Sequence, residues 1–262
     1  MTQPASPAEV EQLRAELARS QQQVADMVAA QEEFLRAVSH DLRAPLRHVT
    51  SYGTLVREVL GDLPPEVLQG PEVQEALGFL ATMDQSAKRM GLMMDGLLAL
   101  VRAGRAPLRL QPVALDRAVA QALTALGSAQ AGRAVEWRVA SDLPTLQADP
   151  ALLQELLVQL VGNALKFTRH AAQPRIAVQA DAAPTGHVAF TVQDNGVGFD
   201  PARAGTLFGV FQRLHRESEF EGVGTGLALC RAIAQRHGGA ITATAVPGAG
   251  CTVRVEWPSD AA

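Results

Sequence analysis

The chain has 262 residues, 47% of them hydrophobic and 19% charged, enough for about two domains of ordinary size. Its net charge of −4 provides no basic field to hold nucleic acid or an anionic membrane. No apolar run approaches the roughly 20 residues that cross a bilayer, and the opening Met1-Thr-Gln-Pro-Ala-Ser-Pro7 lacks the basic and apolar regions of a secretory leader. A cytoplasmic protein is therefore expected, with neither nucleic-acid binding nor membrane insertion. Cys230 and Cys251 are isolated and lack metal-ligand spacing, so both are expected to be reduced and structural.

Val10, Leu13, Leu17, Val24, Met27, Phe34 and Val38 recur in steps of three and four, a coiled-coil pattern assigned to residues 1–33. The pattern runs on without a stop signal, predicting one helix from about Pro7 to Leu60. A helix that long needs a partner, and a homodimer is expected. Within it, Leu42, Leu46, Val49, Val56 and Leu60 fall on one face, while His40, Arg43, Ala44, Arg47 and Ser51 share the other. His40 is thus presented to solvent beside a carboxylate. A neutral imidazole whose proton is held by Asp41 is a competent nucleophile near neutral pH, and Asp41 is the candidate base. The alternative is an exposed helical histidine with an acidic neighbour. Pro45 removes the helical bond to the Asp41 carbonyl and is expected to bend the helix there.

Gly61 to Pro71 breaks the helix. A second one is predicted from near Glu72, with a seam of Leu80, Met83, Ala87, Met90, Met94, Leu97 and Val101. The two form a hairpin over residues 34–104, and two hairpins close a four-helix bundle. Ala103-Gly104-Arg105-Ala106-Pro107 is read as the linker to a second domain, residues 105–262. That domain has helical periodicity at 115–126, 150–167 and 226–236, and strand-like runs at 135–139, 175–180, 188–193, 240–245 and 251–257. The predicted architecture is α+β, with helices on one side of a mostly antiparallel sheet.

Three segments of the second domain carry chemistry. Asp149-Pro150 is an N-terminal cap signal for a helix with Leu153, Leu156, Leu157, Leu160 and Ala164 on its buried side and Glu155, Gln159, Asn163 and Lys166 on a polar stripe. An Asn oxygen can complete a Mg²⁺ shell otherwise filled by water and phosphate, and a Lys one turn away can meet phosphate charge. The alternative is a solvated face, against which the chemistry of Asn163 and Lys166 tilts the balance. Asp194 ends an alternating strand, where a carboxylate can accept from the exocyclic amino group of a purine, and Gly196 and Gly198 let backbone come close; an ordinary Asp-Asn-Gly turn is the alternative. Glu221-Gly222-Val-Gly224-Thr225-Gly226-Leu227 opens a helix, whose first N–H groups favour phosphate. It fits neither the G-x-x-x-x-G-K-[ST] loop nor the G-x-G-x-x-G fingerprint.

Taken in order, His40 with its flanks, Asn163-Ala-Leu-Lys166-Phe167-Thr, Asp194-Asn-Gly196-Val-Gly198, Leu207-Phe208-Gly-Val-Phe211-Gln-Arg213-Leu-His215 and Gly222-Val-Gly224-Thr225-Gly226-Leu227 resemble a two-component sensor histidine kinase over about residues 30–258. The wording around His40 and Arg213 is similar to the phytochrome-type, PAS-linked branch. The resemblance implies a dimerisation and histidine-phosphotransfer bundle followed by an ATP-binding α+β sandwich of the Bergerat type. It assigns His40 as phosphoacceptor, Asp41 as neighbouring base, Asn163 as Mg²⁺ ligand and Asp194 as adenine reader. Gly196, Gly198, Gly222, Gly224 and Gly226, with Thr225 and Leu227 in the same loop, shape the lid and phosphate contacts. Lys166 and Arg213 offset charge on the transferring group, and Phe167 forms part of the adenine wall. Phe208 and Phe211 are lid-packing or core residues. His48, His170, His187, His215 and His237 lack metal-ligand spacing and are expected at the surface or in loops.

The implied cofactors are ATP and Mg²⁺. The implied partners are a second copy, the receiver domain of a response regulator whose aspartate takes the phosphoryl group, and an upstream sensor domain or protein. Two departures stand out. Gln159 replaces the family's Asn, and an amide cannot serve as the water-activating base of the related ATPases. Ala44 occupies the place of a Thr or Asn that orients water for removing phosphate from the regulator, which implies a kinase-biased enzyme. The alternatives are a Bergerat-fold ATPase and a non-catalytic dimeric scaffold that docks a receiver.

Overall fold

The computed structural model describes residues 6–105, 107–216 and 218–259, without the side chains at 7–9, 24, 25, 28, 32 and 105. The reading of Met1 to Ala5, the seam position of Val24 and the linker position of Ala106 lie outside these. The chain falls into two units, Met1–Gly91 and Leu92–Ala262.

In the first unit α1 (Pro7–Gly61) is one helix of 55 residues with Pro45 inside it, as the unbroken periodicity predicts. Losing one N–H does not end a helix whose remaining turns stay bonded. After Gly61 come α2 (Pro65–Leu68) and α3 (Pro71–Arg105), both opened by a proline, which suits the first turn of a helix. Ser39 and Ala87 are buried, and Leu46 lies against Gly91. The face expected to be packed is covered only in part: Leu42, Val49, Val56, Met83 and Met90 keep between 40% and 50% of their surface. Two helices cover only one strip of each other.

The second unit contains β1 (Gln111–Ala114), α4 (Leu115–Ala125), α5 (Gly127–Gln130), β2 (Glu136–Val139), β3 (Thr145–Ala148), α6 (Pro150–Phe167), β4 (Arg175–Asp181), β5 (His187–Asp194), a 3-10 turn (Pro201–Thr206), α7 (Gly226–Arg236), β6 (Ala240–Val246) and β7 (Gly250–Pro258). Five strands form a sheet in the order β2-β4-β5-β7-β6, with only β2 and β4 parallel; β1 and β3 make a separate antiparallel pair. Side chains of α4, α6 and α7 share one core with Ile176, Val178, Phe190, Val192, Val255 and Trp257. This is the predicted α+β sandwich. The last turns of α3 join the same core through Ala103, whose carbonyl accepts from Arg236 Nη1 at 2.7 Å.

His237, expected at the surface or in a loop, stands in the turn after α7 but is not at the surface. It is 9% exposed, stacks its ring 4.5 Å from that of Trp257, and accepts the Asp149 backbone N–H at Nε2 (3.1 Å). With Nε2 an acceptor, Nδ1 carries the proton and donates to the Ile233 carbonyl at 2.8 Å. The ring is therefore neutral, and burial holds its pKa below the usual histidine value. It ties the end of α7 to the start of α6.

Candidate functional site

The start of α6 is fixed by Asp149, whose carboxylate accepts the N–H groups of Ala151 and Leu152 at 3.0 and 3.3 Å. Its apolar positions are buried in the core, which turns the polar stripe outward. Three members of that stripe, Gln159, Asn163 and Lys166, line a cleft of about 210 Å³. Glu155 does not line it: it lies half-buried beside Arg102 of α3, and burial lifts its pKa against the pull of that charge.

Across the cleft stand Asp194, Gly198, Arg213 and the loop Gly222 to Leu227. Asp194 is 8% exposed, and burial pushes its carboxyl up to about 6, opposed by the N–H groups of Gly196 (2.8 Å) and Cys251. A buried carboxylate at a cleft wall suits a ligand with an N–H to donate. Cys251, also in the lining, has its thiol pushed up to about 12 by burial and by Asp194, so it is no nucleophile. Gly198 has φ +60 and passes so close to the Val246 carbonyl that no Cβ fits. Gly196 does not line the cleft; it lets the Asp194 turn rest against the Phe167 carbonyl at the end of α6.

Lys166 sits over the Phe167 ring, 4.5 Å from its centroid, and burial lowers its pKa against the attraction of Glu221. Glu221 pairs with Arg169, whose hydrogen bond holds its pKa down. Arg213 Nη2 donates to the Phe220 carbonyl at 2.6 Å. Phe220 and His215 pack on Phe167 with ring centroids 5.1 and 5.4 Å away, and His215 Nε2 donates to the Gly198 carbonyl at 2.9 Å. Both line the cleft, and neither was singled out as a site residue from the sequence. For His215 the available signal was its position in the run that also holds Arg213; Phe220 lies five residues beyond that run. Phe208 packs on the core, while Phe211 is 39% exposed with φ +62. Gln159 reaches α7: its Oε1 lies 2.5 Å from where a Cβ of Gly226 would stand.

His40 and Asp41 belong to the first unit. Both side chains are at least 80% exposed, and Nδ1 of the imidazole lies 3.1 Å from Asp41 Oδ1. A carboxylate can only accept, so in the neutral ring the tautomer that this contact favours has the proton on Nδ1 and a lone pair on Nε2. Among the described residues no group of three His, Cys, Asp or Glu could hold a metal ion.

Residues 148–261 match the model of the histidine kinase-, DNA gyrase B-, and HSP90-like ATPase family. The chain is 31% identical over 245 residues to cyanobacterial phytochrome B of Nostoc sp., covering 93% of this chain and 30% of that protein. It is 30% identical over 241 residues to the circadian input-output histidine kinase CikA of Synechococcus elongatus, covering 88% and 30%. This is a sensor histidine kinase catalytic core. Its fold is similar to full-length ShkA, solved in complex with AMPPNP, at 27% identity and a TM-score of 0.59 over 86% of this chain and 45% of that one. The kinase core spans under a third of the length of those two curated relatives. No described helix is long and apolar enough to cross a membrane.

Proposed function

We propose that this core transfers the γ-phosphoryl group of Mg²⁺-ATP to His40 and then to an aspartate of a response-regulator receiver. The observation that carries the reading is the His40–Asp41 pair, exposed and in contact through Nδ1, in the same chain as an ATPase-family cleft. His40 Nε2 forms the bond to phosphorus as the bond to the β-phosphate oxygen breaks; ADP leaves, and the Nδ1 proton passes to Asp41. Asp194 reads the adenine amino group, beside a wall of Phe167. Lys166 and Arg213 balance phosphate charge, and the loop Gly222 to Leu227 offers N–H groups.

The donor set suits Mg²⁺ in one manner only. Asn163 supplies one neutral oxygen on the cleft wall, and phosphate and water supply the rest, as this ion prefers. When bound it would neutralise charge on the phosphates. Gln159, an amide, supports a kinase over a water-activating ATPase.

The apolar surface left open on α1 and α3 supports a homodimer closing a four-helix bundle, with a sensor domain or protein upstream. Ala44 supports a kinase with feeble phosphatase action on its regulator. The test is incubation with Mg²⁺ and γ-labelled ATP. An acid-labile, base-stable protein label is expected. Free phosphate without label would favour the ATPase, and bound ATP without label the scaffold.

A further inference from the structure

Helix α3 meets the cleft loop at Gly96. A Cβ there would come closer than 3.0 Å to Oγ1, Cβ and Cγ2 of Thr225, so the helix backbone lies directly against that side chain and nothing larger than glycine fits without displacement. Thr225 immediately precedes α7 and lines the cleft with Gly226 and Leu227. A threonine in that place ordinarily has extended backbone and accepts an N–H from the first turn of the helix. Thr225 does neither: its φ is −103 and ψ −24, and its side chain makes no capping bond. The first N–H groups of α7 have no partner within the helix and are left without a side-chain cap at the wall of the cleft.

We infer that Gly96 is a positioning residue for the nucleotide phosphates: it seats the Thr225 side chain against α3, off the first turn of α7, and so reserves those N–H groups for the ligand. The inference rests on the ATP reading above. A methyl group at 96 displaces Thr225 from its seat and disturbs the phosphate end of the cleft, leaving Asp194 on β5 as it is.

The test is the affinity of the full chain for ATP and for AMP in Mg²⁺ buffer, by calorimetry, for the unmodified protein, Gly96→Ala, Thr225→Gly and the double variant. Gly96→Ala is expected to weaken ATP about tenfold, the loss of one charge-assisted contact, and AMP by less than about twofold. In the Thr225→Gly background the three atoms nearest to the methyl are gone, and Gly96→Ala is expected to change ATP affinity by less than about twofold. An equal loss in both backgrounds, an equal loss for ATP and AMP, or no loss overturns the inference. If Gly96→Ala alone does not fold, a cooperative thermal transition in the double variant supports the contact and its absence refutes it. Binding of neither nucleotide by the unmodified chain is a separate result and sinks the ATP reading instead.

Discussion

Residues 92–262 bury a core of their own, whereas residues 1–91 leave valines, leucines and methionines facing water. In the first case a sheet and three helices cover one another's apolar faces, and the functional side chains stand where that packing stops. In the second, two helices carry more apolar surface than they can hide, and His40 sits on the part that remains polar. One unit closes its core within a single chain. The other leaves its seam open, as its pattern of apolar positions dictates.

The sharpest way to break this comparison is His40→Gln. If the two units divide the labour as proposed, phosphorylation is abolished while ATP affinity is unchanged, read from radiolabel and calorimetry on the same sample; any remaining label removes His40 from its role. Asp41→Asn should slow labelling about 10²- to 10⁴-fold, the usual range for a general base, again with nucleotide affinity intact. A normal rate would leave Asp41 a surface acid.

Asp194→Asn addresses the other unit, where site and core meet. Nucleotide affinity should fall about 100-fold, as expected for a lost bond to a charged group, while the empty domain becomes more stable. Its folded pKa lies near 6 instead of 3.8, so the folded chain holds a proton that the unfolded chain has released between those values, and stability falls as pH rises through that window. By neutral pH the buried charge costs about 3 kcal/mol. Asn keeps an oxygen for the Gly196 N–H without that charge, and the melting temperature at pH 7.5 should rise by several degrees. Unchanged melting would mean that the cleft solvates Asp194 far better than its burial suggests.

The smallest effect is set in the framework behind the cleft. His237→Leu preserves apolar contact with Trp257 but strands the Asp149 N–H, for about 1–3 kcal/mol in urea unfolding. The folded pKa of His237 lies below 6.5, so the unfolded chain gains a proton first and the histidine's contribution, full above 6.5, is lost as pH falls. The gap between variant and unmodified protein should narrow from pH 7.5 to 5.5. Comparing the two proteins at each pH cancels the opposite trend from Asp194.

Legibility followed range along the chain. Helix α6 was readable because its cap, Asp149, and its apolar periodicity are local chemistry, and β5 and β7 announce themselves by alternation. Strands β1 and β3 were missed: each has four residues, one contains Pro112, and they exist by pairing with each other. The parallel partnership of β2 with β4 is likewise invisible from either strand alone. In the site, Asn163, Lys166, Asp194 and the glycine loop were readable because each motif is contiguous. His237 was read without its burial because its partner is 88 residues away, and Gly96 drew no reading because its contact, Thr225, is likewise remote in the chain.

Both ends of α7 are fastened to α3. Thr225, just before its first residue, abuts Gly96, and Arg236, its last, holds the Ala103 carbonyl. Two attachments seven residues apart on α3 prevent α7 from pivoting about either one. An axial shift of this end of α3 would therefore either draw the cleft loop after it or break the Arg236–Ala103 bond and the Thr225–Gly96 contact, with those two side chains as the couplers.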